Sequence, residues 1–199
     1  MMCSVFFEKY HTEEHVLFMD FHTHNLNAAP GSAIINLPEC ALLQPGQFDL
    51  VAGSLYSVGI HPWWTEDDLF SLFLGLEFWV NHSQIVALGE CGLDKLRGAS
   101  MSVQEFWFER QVLMAEDLHL PVTVHCVKAF DRLLSIHKRL RPCMQWTVHG
   151  FRGKPDLAKQ LLSAGMNLSF GKHFNAESFA LTPPERRYRE TDEDYALVE

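Results

Sequence analysis

Eight short apolar runs, each bounded by turn residues or by a helical pattern, limit the folds open to this 199-residue chain. The runs are Val16–Phe21, Ala33–Leu37, Ser57–Ile60, Ile85–Gly89, Val122–Val124, Gln145–Val148, Met166–Phe170 and, more weakly, Arg187–Thr191. Apolar runs that alternate with helices are typical of parallel strands in an α/β protein. Eight such strands predict a TIM-type (β/α) barrel, in which functional side chains lie at the C-terminal ends of the strands.

Helix signals separate the middle strands. Residues 102–118 carry apolar side chains at helical spacing, so one side of this helix can lie on a sheet. The sequences Thr65–Asp68 and Ser102–Glu105 have the form of a capping box, which predicts a helix start at each of them. Pro155 and Gly165 bracket a further predicted helix.

The spacing at both ends predicts a compact version of this barrel. If the first strand closes at His24, only Asn25 to Ser32 separate it from the second strand, which is too short for a crossover helix. Seven residues follow Asp192, too few for a full closing helix. We therefore expect one domain over residues 1–199, with residues 1–15 as an N-terminal extension and with the first and last crossover helices short or missing.

Histidine and acidic residues recur at the predicted C-terminal ends of five strands. They lie in Asp20–His24, Glu90–Asp94, His125, His149 and Glu190–Asp192. His22 and His24 share one face of their strand, as two ligands of one ion must. Imidazole and carboxylate suit Zn, Mn, Fe or Ni, and a carboxylate such as Glu90 can bridge two ions. A single buried histidine is usually structural, but this recurrence at five strand ends predicts a metal centre.

Seven segments in a fixed order carry a family signal. They are residues 20–24 (DFHTH), 59–62 (GIHP), 87–94 (ALGECGLD), 104–125 (ending LPVTVH), 149–153 (HGFRG), 170–171 (FG) and 190–192 (ETD). In this order, from about Met19 to Asp192, they resemble the TatD-type hydrolases of the amidohydrolase superfamily.

The resemblance implies a ligand set for two divalent metal ions, drawn from Zn, Mn, Mg, Ni and Co. The set is His22, His24, Glu90, His125, His149 and Asp192. The two histidines of the first strand and Asp192 hold one ion, the other two histidines hold the second, and Glu90 bridges them. The implied activity is metal-dependent hydrolysis of ester bonds, specifically DNase-like phosphodiester hydrolysis by a water that two metals activate. Asp192 and Glu90 are the predicted catalytic residues, with Asp192 as proton acceptor.

Three further residues are predicted to contact the substrate. Family members commonly carry Arg two residues after the fifth-strand histidine and Cys after the sixth-strand histidine, and this chain departs from both patterns. Lys128 and Arg152 lie near these positions and are predicted to replace the missing cation in contacting phosphate. His61 follows the third strand, where it either contacts a substrate phosphate, orients a ligand or is a plain turn histidine.

The net charge of -9 argues against a broad basic face that tracks a nucleic-acid backbone. A nucleic-acid substrate would have to be held locally, largely by bound metal. Two alternatives remain open from the sequence. One keeps the metal site but acts on small amides, lactones or carboxyl esters, which the acidic composition favours. The other is a metal-binding barrel without turnover.

The cysteine pattern favours a cytoplasmic location. The five cysteines are scattered and include no CxxC pair, which suits reduced thiols. Acidic residues among the first twenty argue against a signal peptide, and no apolar run is long enough to span a bilayer. Nothing in the sequence indicates a membrane or a stable protein partner. Cys91 and Cys126, each directly after a predicted ligand, are expected to point toward the helices as structural thiols.

Two other features near the predicted site have two readings each. Asp20 either holds a ligand imidazole or takes part in a hydrogen-bond network at the barrel mouth. The pair Trp63-Trp64 either stacks on a nucleic-acid base or packs over the helix that follows.

Overall fold

The computed structural model describes residues 19–192, which form one eight-stranded parallel sheet with its strands in chain order. The strands are β1 (Asp20–Thr23), β2 (Ala33–Asn36), β3 (Leu55–Val58), β4 (Ile85–Asp94), β5 (Val122–Val127), β6 (Trp146–Val148), β7 (Asn167–Phe170) and β8 (Arg187–Arg189). The prediction of a TIM-type α/β barrel is confirmed. Each predicted strand overlaps the observed one, although the first strand continues to Thr23 and the fourth to Asp94.

Helices connect the strands from β2 onward. They are α1 (Glu39–Leu43), α2 (Leu69–Trp79), α3 (Met101–Leu118), α4 (Phe130–Leu140), α5 (Pro155–Ser163) and α6 (Ala176–Leu181), with short 3-10 helices at Pro45–Gln47, Pro62–Glu66 and Pro184–Arg186. Residues 24–32 contain no helix, so the prediction of a missing first crossover helix is confirmed. The predicted N-terminal extension and the predicted absence of a last helix concern residues outside the described range. None of the helices within residues 19–192 is both long and apolar enough to span a bilayer.

Side chains and backbone near the mouth join the first strand to the end of the last one. The two oxygens of the Asp20 carboxylate accept hydrogen bonds from the backbone N–H and the hydroxyl of Thr191, at 2.9 and 2.6 Å. The backbone N–H of Asp192 donates to the carbonyl of His22 at 3.1 Å. The eight strands therefore form a nearly closed barrel, and of the two readings of Asp20 the mouth network is the one observed.

Both predicted capping boxes are misplaced, for reasons that the local contacts explain. Helix α2 begins after Asp68, whose carboxylate accepts from the backbone N–H of Ser71. The hydroxyl of Thr65 instead donates to the carbonyl of Pro62 within the preceding 3-10 helix. Helix α3 begins at Met101, one residue before the predicted cap. The bracket of Pro155 and Gly165 is correct, because α5 begins at Pro155 and its last residue is Ser163.

Two helices on the outside of the barrel touch through their backbones. A Cβ atom at Gly75 in α2 would lie 1.9 Å from the carbonyl oxygen of Leu42 in α1. Both residues are buried, so no side chain at position 75 fits unless the two helices move apart. The glycine is therefore required by the close approach of α1 and α2.

We expect Gly75→Ala to lower the free energy of unfolding by about 1–3 kcal/mol, because overpacking of a close contact forces the backbone to shift. Urea denaturation followed by circular dichroism measures this effect. Gly46→Ala is the matched control, since a Cβ at Gly46 meets nothing within 4 Å. Equal stability of the Gly75→Ala variant and the wild type would show that α1 and α2 do not pack this closely.

Candidate metal centre

Three imidazoles converge on one oxygen of a buried carboxylate. Glu90 lies in β4 and is only 2% exposed. Its Oε1 lies 3.0 Å from Nε2 of His61, 2.6 Å from Nδ1 of His125 and 2.7 Å from Nε2 of His149. The backbone N–H of Glu90 donates to Oδ1 of Asn36 at 2.7 Å, which ties this part of β4 to β2. The carboxylate is therefore held at the centre of the barrel mouth.

The other oxygen of Glu90 faces a second group of donors. Its Oε2 lies 3.3 Å from Nε2 of His22 and 3.4 Å from Nε2 of His24. Oδ1 of Asp192 lies 3.9 Å from each of these two nitrogens. Glu90 thus stands between two groups of nitrogen and oxygen atoms, one on each side.

The donor atoms are arranged as a metal site requires. Three groups of possible ligands each have their atoms within 4.8 Å of one another: His22–His24–Glu90, His22–His149–Asp192 and His61–Glu90–His125. Both ring nitrogens of His22 are buried and make no hydrogen bond to the rest of residues 19–192. A buried nitrogen without a partner is costly, and a cation between the donors would satisfy it. The residues present therefore fit divalent ions.

Electrostatic contacts determine the ionisation of the central carboxyl group. Burial disfavours the ionised form of Glu90, but the charges of His149 and His61 and the hydrogen bond from His125 outweigh burial and hold the pKa of Glu90 well below its usual range. Burial opposes protonation of His149 as well, yet the charge of Glu90 contributes to raising the pKa of His149 well above its usual value. Glu90 is therefore negatively charged at neutral pH, which is the charge a bridging ligand needs.

Parallel strands explain why residues so distant in sequence meet here. The six predicted ligands lie in the C-terminal halves of strands or just after them: His22 in β1, His24 after β1, Glu90 in β4, His125 in β5, His149 after β6 and Asp192 after β8. A Cβ at Gly92 would lie 2.0 Å from the carbonyl oxygen of His125, so glycine permits the close approach of β4 and β5. The structure brings all six together, and their role as ligands stays a prediction.

The three predicted substrate contacts occupy different positions. His61 is buried and lies within the cluster itself, where burial lowers the pKa of its ring. Lys128 and Arg152 are exposed on the loops after β5 and β6. They border the mouth but are not part of the cluster around Glu90, and the role of all three residues in substrate binding stays a prediction.

Comparison with known proteins identifies the family. A family model described as TatD related DNase matches residues 50–198. The chain belongs to the TatD-related DNase family. A relative from Musicola paradisiaca, named 3'-5' ssDNA/RNA exonuclease TatD, is 33% identical over an alignment of 158 positions that covers 71% of this chain and 57% of the relative. The chain therefore spans less than two thirds of that relative's length.

Solved structures of TatD proteins share the fold. A TatD homologue from Escherichia coli K12 matches 89% of this chain and 80% of its own, with a TM-score of 0.72 and 22% identity. A TatD family hydrolase from Entamoeba histolytica matches 88% of this chain and 73% of its own, with a TM-score of 0.68 and 20% identity. At this identity the similarity shows the common barrel architecture.

Sequence reasoning did not assign a role to Asp94, which this TatD-family chain places beside His125. Oδ2 of Asp94 lies 3.4 Å from Nε2 of His125 and accepts from the indole N–H of Trp63 at 2.6 Å. Burial opposes its ionisation, but these two hydrogen bonds contribute to lowering the pKa of Asp94 to about 2. A carboxylate on the far side of an imidazole fixes the orientation of the ring.

Glu190 is the second such residue, and it acts on His149. Its Oε1 accepts from the backbone N–H of Gly150 at 2.5 Å and lies 3.6 Å from Nδ1 of His149. Burial opposes ionisation of Glu190, but the charge of the nearby His149 keeps the pKa of Glu190 below its usual value. Both residues lie in sequence segments that also carry predicted ligands. Asp94 is four residues after Glu90 and Glu190 is two residues before Asp192, and this even spacing was the signal in the sequence.

The two cysteines beside the centre have the properties expected of structural thiols. Cys91 is fully buried, and burial raises the pKa of its thiol far above the usual range. Burial likewise raises the pKa of Cys126 to about 12. Neither thiol ionises near neutral pH. A thiolate nucleophile or metal ligand must be ionised, so neither cysteine fits such a role.

We expect Glu190→Gln to weaken metal binding about 10- to 100-fold, because the imidazole of His149 loses the charged partner that orients it. Competition with a fluorescent chelator measures the affinity, and circular dichroism checks the fold. Glu185→Gln is the matched control, since Glu185 is exposed. Unchanged affinity in the Glu190→Gln variant would mean that Glu190 does not support the metal centre.

Proposed function

We propose that this chain is a metal-dependent hydrolase that cleaves phosphodiester bonds of nucleic acid. The observation that carries the proposal is the position of Glu90, whose two oxygens face separate groups of histidine and carboxylate donors. Membership of the TatD-related DNase family supports the same class of reaction. The name of the Musicola relative, a 3'-5' ssDNA/RNA exonuclease, supports nucleic acid as the substrate.

The ligands proposed for two divalent ions follow the two sides of Glu90. His22, His24 and Asp192 would hold one ion, His125 and His149 would hold the other, and Glu90 would contribute to both. Zn, Mn, Mg, Ni and Co are all compatible with these nitrogen and oxygen donors. When bound, such ions activate water near neutral pH and neutralise charge that develops on phosphate oxygens.

Asp192 is the proposed proton acceptor. Its side chain is 23% exposed, whereas that of Glu90 is 3% exposed, so solvent reaches the Asp192 carboxylate. The hydrogen bond from its backbone N–H to His22 holds Asp192 beside β1. A carboxylate fixed in this position can take a proton from the water that attacks phosphorus. Glu90 acts through its negative charge, which the surrounding imidazoles keep in place.

Three residues are proposed to bind the substrate. His61 presents a ring nitrogen to Oε1 of Glu90 and is positioned to contact a phosphate oxygen or to orient the cluster. Lys128 and Arg152 are exposed cations on the loops after β5 and β6, so they can contact phosphates next to the scissile bond.

The cellular setting is also a proposal. Cys40, Cys91 and Cys126 are free thiols, which fits the reducing environment of the cytoplasm. We also propose that residues 1–199 act as one domain, because the eight strands within residues 19–192 form one continuous sheet.

The first test is metal content and its dependence on Glu90. We expect the wild type to bind up to two ions per chain, and Glu90→Gln to lower both metal content and turnover, the latter about 100- to 1,000-fold, because the amide cannot supply the central charge. Elemental analysis and hydrolysis of bis(p-nitrophenyl) phosphate measure the two effects. Glu77→Gln on the exposed face of α2 is the control. Wild-type protein that neither binds metal nor gains activity on addition of these ions would refute a metal-dependent enzyme.

The second test separates phosphodiester from carboxyl-ester hydrolysis. We expect metal-loaded protein to hydrolyse bis(p-nitrophenyl) phosphate and a single-stranded oligonucleotide faster than p-nitrophenyl acetate, because the ions stabilise charge on phosphate oxygens. Initial rates at equal substrate concentration, with and without EDTA, give the comparison. Metal-dependent turnover of the acetate alone would favour the carboxyl-ester reading, and metal binding without turnover of any substrate would favour a non-catalytic barrel.

A further inference from the structure

Basic residues are concentrated on four consecutive loops at the barrel mouth. The loops after β4, β5, β6 and β7 carry six of them, which we name the cationic rim: Lys95, Arg97, Lys128, Arg152, Lys154 and Lys172. The same loops, residues 95–100, 128–129, 149–154 and 171–175, contain no aspartate or glutamate. The cationic rim is therefore a locally positive region on a chain whose net charge is -9.

All six side chains of the cationic rim are exposed, and none forms an ion pair within residues 19–192. Three cations on the helices, in contrast, lie beside carboxylates. Arg132 pairs with Glu105, Arg139 pairs with Glu109, and Lys159 lies 3.8 Å from Asp156. The charge of the rim is thus not neutralised by ion pairs, whereas the charges of these three helix residues are partly neutralised.

The topology sets the extent of the rim. Strands β4 to β7 are adjacent in the sheet, and their loops leave the same end of the barrel as the ligands around Glu90. Adjacent strands are about 4.8 Å apart, so four strands span roughly 15 Å. One strand of B-DNA advances about 3.4 Å along the helix axis per phosphate, so a rim of this length can contact more than one phosphate.

An aromatic side chain connects the rim to the metal centre. The guanidinium of Arg97 lies 3.6 Å from the centroid of the Trp63 ring. The indole N–H of Trp63 donates to Asp94, and its ring meets that of His61 edge-on at 4.8 Å. Trp63 remains 39% exposed. The end of the rim is therefore fixed against the site and presents a partly exposed aromatic ring to an unstacked base.

We propose that the cationic rim binds the sugar-phosphate backbone of single-stranded nucleic acid and leads it to the metal centre, with Trp63 contacting a base at the β4 end. This inference rests on the proposed function and deepens it. It also revises the expectation that the acidic chain holds nucleic acid largely through metal. Six unpaired cations on adjacent loops supply an electrostatic attraction that does not depend on bound ions.

The experiment measures binding of a fluorescein-labelled, phosphorothioate-linked oligothymidylate by fluorescence anisotropy at several salt concentrations. This probe carries the backbone charge and resists hydrolysis. Each phosphate contact contributes about 0.7 to the slope of log affinity against log salt for single strands. We expect the Lys154→Gln/Lys172→Gln variant to lower the magnitude of that slope by about 1.4. The control is Lys138→Gln/Arg141→Gln, which removes the same charge at the C-terminal end of α4, the end of the helix that lies away from the barrel mouth because the helix runs antiparallel to the strands.

The outcomes separate the rim from the reaction. A slope that falls for the rim variant and stays at the wild-type value for the control supports the proposal. An unchanged slope for the rim variant, or an equal fall for both variants, overturns it. Hydrolysis of bis(p-nitrophenyl) phosphate by the wild type reports on the proposed function independently. Wild-type protein that shows the rim-dependent slope but cleaves no diester would retain the binding surface and refute the hydrolase.

Discussion

Five imidazoles surround a single buried carboxylate, and the arrangement of the barrel mouth depends on this contact. Glu90 reaches His61, His125 and His149 with one oxygen and the two histidines of β1 with the other. Without the negative charge of Glu90, the ring nitrogens of these histidines would lie close together with no carboxylate to accept their hydrogen bonds. The close approach of β4 to its neighbours and the hydrogen bond from the backbone N–H of Glu90 to Asn36 maintain this geometry.

Much of the fold could be predicted from the sequence, because strand and helix periodicities are local properties. The eight strands, their order and the missing first crossover helix follow from apolar runs and loop lengths. Helix starts were predicted less well. At residues 65–68 both Thr65 and Asp68 are acceptable caps, and the choice depends on the 3-10 helix at Pro62–Glu66, which a capping pattern does not reveal.

The members of the candidate site could be predicted for a similar reason, whereas their neighbours could not. A parallel barrel brings strand ends together whatever the loops do, so histidines and acids at strand ends must meet. Which carboxylate lies behind which imidazole depends on side-chain direction and on strand register. Asp94 and Glu190 therefore emerge only in three dimensions, as does the position of Trp63 between the cationic rim and His61.

The link between Asp20 and Thr191 bears on how the protein acquires its site during folding. These residues are 171 positions apart, so their contact closes almost the whole of the described chain. Contacts between distant residues form slowly, because the entropy of a large loop must be lost before the contact stabilises anything. His22 and His24 meet Asp192 only across this junction. The histidines on the Oε1 side of Glu90 belong to the part of the chain from β3 to β6. Their contacts with Glu90 therefore join residues that are closer together in the sequence. The two halves of the centre thus differ in the sequence separation of their contacts, and the half that contains Asp192 requires closure of the barrel.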